Sequence, residues 1–377
     1  METITLGQLL EAVGGTLLGE FQDREALIQR VDTDSRNIHE GALFIPLIGE
    51  RFDGHAYINA ALEGGAVGCI TARERENYLP GKFYVKVSNT QKALRDLAAW
   101  YKGRFDIPFV AITGSVGKTT AKDMVAAVLG TKYKVLKTEG NFNNNVGLPL
   151  TLLRLTGEHQ ICVLEMGMDK AGEIDYLAEI VKPDVGIITN IGDAHIERLG
   201  SRENIFKAKC ELLPHVKGNG LLVLNGDDEL LSTLRGHTTV PAVFYGKEEG
   251  LEYQAHITGG DSVSHILCRL TTPAMDREVR IPALGEHMIY PTLAATAVAE
   301  RFGLTADEIE QGLTQFVPTR MRMNVLRRGE GITILDDTYN ANPQSMRAAV
   351  SVLADSLGEW KGAVLGGMLG LGPFSPA

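Results

Sequence analysis

What the sequence has little of narrows the field first. Four cysteines occur in 377 residues, Cys69, Cys162, Cys210 and Cys268, and no two stand in a CxxC pair. A disulfide framework and a zinc knuckle are thereby excluded as the organising device, and a reducing compartment is favoured. No apolar run approaches the about 18 residues that a membrane span needs. The N-terminal METITLGQLLEAVGG carries two acids and no basic start, unlike a secretory leader. A cytoplasmic protein without a membrane span is expected. Basic tracks are missing as well: 37 Lys and Arg stand against 47 Asp and Glu, a net charge of -10, which argues against a phosphodiester backbone as partner. No internal repeat or low-complexity tract is found.

What is present is ordinary globular material, 44% hydrophobic and 22% charged, in a chain too long for one typical domain. Three α/β segments are expected. Residues 1–105 mix apolar strands near 42–47, 67–71 and 83–87 with glycine turns, then give a helix near 94–101. In 106–316 the runs FVAIT, ICVLEMG, DVGIITN and GLLVLNG alternate with helical stretches, the pattern of a mostly parallel sheet with crossover helices. In 317–377 the strand GITILDD, a helix from Pro343 to about residue 357 and the strand GAVLGG predict one βαβ crossover, after which the chain reads GPFSPA. One crossover has too few strands for a complete domain.

The strongest chemical signal is a glycine loop set between a strand and a helix. Residues 109–112 read as a buried strand, followed by Thr113, Gly114, Ser115, Val116, Gly117, Lys118, Thr119 and Thr120, and then by a helical run to Leu129. Such a loop lets backbone N–H groups converge on phosphate oxygens at a helix N-terminus, where the helix dipole favours negative charge. Lys118 would reach the outer phosphates, and the Thr119 hydroxyl suits Mg²⁺. Gly114 precedes Gly117 by three residues, where the strict P-loop pattern has five, so a chance turn is the competing reading. Glu165 ends ICVLE and His195 follows DVGIITN, which puts both at the carboxyl edge of the sheet as candidate metal ligands. A lone histidine is as a rule structural.

A second signal is a lysine on the wrong face. Residues 201–213 read as a helix with Ser201 at its N-cap. At about 100° per residue, Ile205, Phe206, Ala208, Leu212 and Leu213 gather on one face, with Lys209 near its centre and Lys207 and Glu211 opposite. Burial disfavours the ammonium form, leaving a neutral amine that carbon dioxide can convert to an anionic, metal-binding carbamate. Periodicity alone favours a lysine that snorkels to solvent.

Taken together, TGSVGKTT, the strand-end Glu165, His195 and Lys209 resemble the Mur ligase superfamily of ATP-dependent amide-bond ligases. The segments DTDSRNIHEGALFIPLIGERFDGHAYI, EGNFNNNVGLPLT and ILDDTYNANPQSM extend the resemblance over nearly the whole chain. They are similar to the type that adds D-alanyl-D-alanine to UDP-N-acetylmuramoyl-tripeptide in peptidoglycan precursor synthesis. The resemblance implies a UDP-substrate domain at 1–105, a central P-loop ATPase at 106–316 and a shortened Rossmann-like domain at 317–377, in a monomer. It implies ATP and Mg²⁺, with Thr119, Glu165, His195 and a carbamylated Lys209 toward the metal, and Lys118 toward phosphate. Nucleotide contacts fall on His287, Arg322 and Asp337 besides the glycine loop. Substrate contacts fall on Ser35, Arg36, Asp53, Gly54, His55, Asn145, Tyr339, Asn340 and Asn342. The implied reaction activates a carboxylate as an acyl phosphate, which the amine of D-alanyl-D-alanine then attacks. Met288 and Pro291 stand where the family has asparagines, and Gly367 and Gly370 where it has acids. Two other readings remain open: a nucleotide- and UDP-sugar-peptide-binding protein of little turnover, and a folylpolyglutamate synthase-like ligase.

Overall fold

The four apolar runs of the middle of the chain lie side by side as the strands Phe109–Thr113, Ile161–Glu165, Val185–Ile188 and Leu221–Asn225, and every residue in them is buried. Strands covered on both faces need such unbroken runs rather than alternation. The structure is a computed structural model and describes residues 1–74, 77–261, 263–329 and 331–372. Contacts between residues divide the chain into two units, one of 1–107 with 139–159 and the other of 108–138 with the chain from 160 onward.

In the first unit a five-stranded sheet runs in the order Thr16–Leu18, Phe83–Lys86, Gly68–Thr71, Ala42–Phe44 and Arg30–Asp32, parallel except for its first pair. Phe44, Ile58, Ala61, Leu62, Cys69 and Tyr84 form a core on this sheet. The helix Thr90–Lys102 starts where the Asn89 side chain accepts a hydrogen bond from the Lys92 N–H at 2.9 Å. Its buried stripe of Leu94, Leu97, Ala98 and Tyr101 has the helical period. It packs on the short helix Gly147–Leu152, and the Tyr101 hydroxyl donates to the Leu155 carbonyl at 2.7 Å. These contacts fasten 139–159 to this unit.

The second unit is built on nine strands, in the order Asp276–Ile281, His265–Thr271, Tyr253–Asp261, Ala242–Gly246, Leu221–Asn225, Val185–Ile188, Phe109–Thr113, Ile161–Glu165 and Val135–Lys137. The last seven of these are mutually parallel, and the two at the start of the list pair antiparallel. The fold is thus α/β with a mostly parallel central sheet. Chain leaving Phe109–Thr113 turns toward one end of the sheet and chain leaving Val185–Ile188 toward the other. That divergence opens a crevice at the carboxyl ends of these two neighbours, the usual ligand position in such sheets. Helix Lys118–Leu129 packs on helix Ile289–Arg301, which is buried on nearly every side. The buried hydroxyls of Thr292 and Thr296 donate to the carbonyls of Met288 and Thr292, at 2.8 and 2.9 Å, so the packing leaves neither unpaired.

Beyond residue 317 the structure departs from the expected crossover. Asn324–Arg328 and Ile332–Asp336 form an antiparallel hairpin, followed by helix Pro343–Asp355 with Asn342 at its N-cap and proline at its first position. Residues 362–367, expected as a strand, form none. A strand exists only against a neighbour's ladder, and Ile332–Asp336 is paired with Asn324–Arg328 instead. Val364 is fully exposed. Of the GPFSPA tail, all but Gly372 lies outside the described residues.

Candidate functional site

The glycine loop leaves the carboxyl end of Phe109–Thr113 and enters helix Lys118–Leu129. Two glycines are needed there for different reasons. Gly114 has φ 147°, and a Cβ on it would lie 1.9 Å from the Thr189 hydroxyl oxygen, so close approach demands its bare backbone. Gly117 has open space around it but φ 80°, a left-handed conformation. Lys118, the first helical residue, folds its ammonium back to donate to the carbonyls of Gly114 at 2.8 Å and Ser115 at 3.3 Å. Thr119 and Thr120 follow on the first turn, both partly buried.

The loop does not hold its shape alone. The Asn190 carbonyl accepts from the Ser115 N–H at 3.0 Å, and the Thr189 hydroxyl donates to the Val116 carbonyl at 2.7 Å. The Asn190 amide bonds both the N–H and the carbonyl of Val116. The Ser115 hydroxyl in turn accepts from the Gly192 N–H at 2.9 Å. Thr189 and Asn190 were not among the sequence-predicted residues. The signal was there in DVGIITN, whose last two residues directly follow the strand Val185–Ile188 beside the glycine loop.

Four charged or titratable side chains act on one another at this edge. Glu165 ends its strand nearly buried, 3% exposed. His195 has φ 68° and its Nδ1 lies 3.1 Å from an Asp169 carboxylate oxygen. Its pKa is lowered, first by burial and then by the positive charges of Lys118 and Lys209. Lys209 is 1% exposed on helix Arg202–Cys210, which Ser201 caps by accepting from the Asn204 N–H at 3.2 Å. Burial, with Lys118 adding repulsion, holds its pKa well below the ordinary lysine value. Lys118 is lowered by burial as well, with Glu165 opposing and Arg322 reinforcing. Burial thus works against the charged form of both amines. Lys207 is exposed on the opposite face of the same helix. Among the described residues no three His, Cys, Asp or Glu side chains converge as a ready metal-ligand set.

From the loop a cavity of about 360 Å³ extends past Thr120 to His287, Tyr290, Arg322 and Asp337. That volume falls in the range of small-molecule sites, roughly 300–1,000 Å³. His287 is lowered in pKa by burial, and Met288 and Pro291 line the wall with it. The Arg322 guanidinium lies over the Tyr339 ring at 4.1 Å. Asp337 accepts from the Met323 N–H at 3.1 Å, and burial raises its pKa. Helix Pro343–Asp355 adds Gln344, Ser345 and Ala348 to the wall, which the sequence reading also missed. Within the YNANP run, Asn342 is engaged as a helix cap, accepting from the Ser345 N–H at 2.9 Å, whereas Tyr339 and Asn340 are exposed.

The remaining predicted residues belong to the first unit. Ser35 and Arg36 form a turn capped by Asp34, and Arg36 pairs with Asp34 at 2.7 Å. Asp53 caps the next turn, Gly54–Tyr57, accepting from the His55 N–H at 3.0 Å and pairing with His55 Nδ1 at 2.7 Å. His55 Nε2 accepts from the Ala72 N–H at 3.1 Å, so both ring nitrogens are engaged by protein. Arg73 bonds the other Asp53 oxygen. Asp53, His55, Asn59, Arg73 and Asn77 border a cavity of about 440 Å³. Asn145 precedes helix Gly147–Leu152, and the Asn144 side chain beside it accepts from the N–H groups of Val146 and Gly147 at 3.1 and 2.9 Å. The predicted substrate residues before 160 thus fall in one unit and the phosphate, nucleotide and metal candidates in the other.

Comparison with known proteins gives two family matches along the chain. The Mur ligase family catalytic domain matches residues 27–102 and the Mur ligase middle domain matches 112–299. The UDP-N-acetylmuramoyl-tripeptide--D-alanyl-D-alanine ligase of Bacillus subtilis is 39% identical over 371 residues, 98% of this chain and 79% of that protein. The enzyme of the same name from Escherichia coli is 34% identical, over 100% of this chain and 82% of its own. Among solved structures, a MurF from Acinetobacter baumannii superposes with a TM-score of 0.93 at 34% identity, over 100% of this chain and 81% of that one. The MurF ligase from Thermotoga maritima in complex with ADP gives 0.82 at 32%, over 92% and 79%.

Proposed function

The chain belongs to the Mur ligase family, and from that premise we propose that it is an ATP-dependent, ADP-forming ligase joining D-alanyl-D-alanine to UDP-N-acetylmuramoyl-tripeptide. The carrying observation is the glycine loop opening onto a 360 Å³ cavity walled by His287, Arg322 and Asp337, a shape suited to a nucleotide with its phosphates at the helix N-terminus. The reaction belongs to peptidoglycan precursor synthesis, and the reduced thiols and the need for ATP suit the cytoplasm, where we place it, as a monomer.

On this reading Lys118 leaves its carbonyl partners to meet the outer phosphates and screens the approach of the substrate carboxylate. The buried Lys209 amine, whose charged form burial disfavours, fits conversion to a carbamate, which with Glu165, His195 and the Thr119 hydroxyl would hold Mg²⁺. The ion supplies charge neutralisation between carboxylate and γ-phosphate when bound. Gly114, Gly117 and Thr120 offer backbone or hydroxyl donors to phosphate, Ser115 and Val116 shape the loop around it through their bonds to Asn190 and Gly192, and His287, Arg322 and Asp337 serve the nucleoside. Ser35, Arg36, Asp53, Gly54, His55 and Asn145 belong to the sugar-peptide substrate. His55, with both nitrogens engaged, shapes that site through Asp53 rather than by direct contact. Tyr339, Asn340 and Asn342 serve the incoming dipeptide. The functional division at 105 and 316 remains part of this proposal.

The test is product formation. Purified protein with ATP, Mg²⁺, UDP-N-acetylmuramoyl-tripeptide and D-alanyl-D-alanine should release ADP and phosphate and give the pentapeptide product by mass spectrometry. Omission of either peptide substrate should abolish the product. ATP hydrolysis indifferent to both peptide substrates would overturn the assignment.

A further inference from the structure

Asp123 has no part in the site as described so far. It lies on helix Lys118–Leu129, about one and a half turns after Lys118. Its side chain is 9% exposed, and one carboxylate oxygen receives the ammonium of Lys137 at 2.7 Å and that of the buried Lys122 at 3.2 Å. The other oxygen accepts the Thr319 hydroxyl. Burial alone would raise the Asp123 pKa; Lys122, Lys137 and Thr319 together bring it below the ordinary value, so it is ionised at neutral pH.

Thr319 belongs to the connector 317–323, which joins the central sheet's last helices to the hairpin. Thr319, Arg322 and Met323 all line the nucleotide cavity. The connector's backbone is unusual: Met321 has φ 61° and Met323 φ 50°, left-handed conformations on either side of Arg322 in residues that have a Cβ. Within the segment the Arg322 N–H donates to the Thr319 carbonyl at 3.0 Å, so Thr319 also sets the turn that presents Arg322. Backbone held in this region relaxes unless its surroundings over-determine it. The bond from Thr319 to Asp123 ties the turn to the helix that carries the phosphate loop.

We propose that Asp123 is a positioning residue for the nucleotide, acting through the Thr319 hydroxyl to fix the connector and so to hold Arg322 at the cavity wall. The inference rests on the nucleotide reading above. Lys122 and Lys137 fix the carboxylate, Thr319 reads it, and Arg322 delivers the effect.

The test uses the full chain and ADP as the probe in isothermal titration. Thr319→Val keeps the shape and removes the hydroxyl; it should weaken ADP binding by about tenfold, as loss of a partly buried charge-assisted hydrogen bond does. Thr319→Ser returns the hydroxyl and should recover affinity to within about twofold. Arg322→Ala should weaken binding by itself, and adding Thr319→Val to it should cost little more, because both act through one group. In turnover, Thr319→Val should raise KM for ATP and leave kcat nearly unchanged. Thr319→Val binding ADP like the wild type, or adding its full effect to Arg322→Ala, would overturn the proposal. Wild-type protein that fails to bind ADP would overturn the nucleotide reading itself and the proposal with it.

Discussion

The side-chain amide of Asn190 holds Val116 at both its backbone groups: Nδ2 donates to the Val116 carbonyl and Oδ1 accepts from the Val116 N–H, each at 2.9 Å. A glycine loop has little to fix its own shape, so this pair from the neighbouring strand end sets the direction of the loop's N–H groups. Asn190→Leu removes both bonds in a partly buried place. The expected result is a loss of about 1–3 kcal/mol in stability and a rise of roughly tenfold in KM for ATP. Thermal melts and initial rates against ATP measure both; unchanged KM would show that the loop is held by Thr189 and Ser115 alone.

Gly114 and Gly117 should respond differently to alanine. At Gly114 the added Cβ meets the Thr189 side chain at 1.9 Å as well as an unfavourable φ, while at Gly117 only φ 80° opposes it. Gly114→Ala should lose nucleotide binding and melt several degrees lower, whereas Gly117→Ala should cost about 1 kcal/mol. Equal effects in chemical denaturation would contradict the close contact with Thr189.

Lys118→Met keeps most of the side-chain volume and removes the ammonium. Phosphate release should fall by at least about a hundredfold, the scale of losing one preorganised group that stabilises transition-state charge. Near-normal turnover in a phosphate-release assay would remove Lys118 from the reaction.

Lys209 gives a pH signature as well as a chemical one. Its pKa in the folded protein lies well below 10.5, so between that lowered value and 10.5 the unfolded chain binds a proton that the native state does not. Stability should therefore rise with pH across that window, by up to about 1.4 kcal/mol per unit from this group. Urea melts in bicarbonate-free buffer should show the rise, and Lys209→Met should flatten it; Lys118, shifted in the same direction, leaves a remaining slope. An unaltered slope in Lys209→Met would mean that the lysine is not buried in its neutral form.

The same residue tests the carbamate. Lys209→Ala should be inactive and should regain some turnover with added short carboxylates that fill the vacated position, while Lys207→Ala, on the exposed face, should stay active. Inactive Lys207→Ala beside active Lys209→Ala would reverse the assignment of the two lysines.

Much of this was legible in the sequence because it depends on local pattern. Unbroken apolar runs named the buried strands, a glycine loop between a strand and a helix marked the candidate phosphate site although its spacing departs from the strict pattern, and the helical period put Lys209 on the apolar face with Lys207 opposite but left open whether Lys209 reaches solvent. Ser201 announced its helix by being its cap, whereas the cap at Asn89 came only with the structure. Tertiary structure decided what joins distant residues. Asn190 reaches the loop only because Val185–Ile188 pairs in parallel beside Phe109–Thr113, and the linear chain carries no record of which strands become neighbours. Residues 139–159 pack with the first unit because Tyr101 and the Thr90–Lys102 helix offer them a bonded surface, a matter of complementary faces. At 362–367 the β-like composition of GAVLGG met no partner strand. Composition gives a segment its propensity, but a strand's hydrogen bonds belong to its neighbour, so only the folded arrangement determines whether it forms.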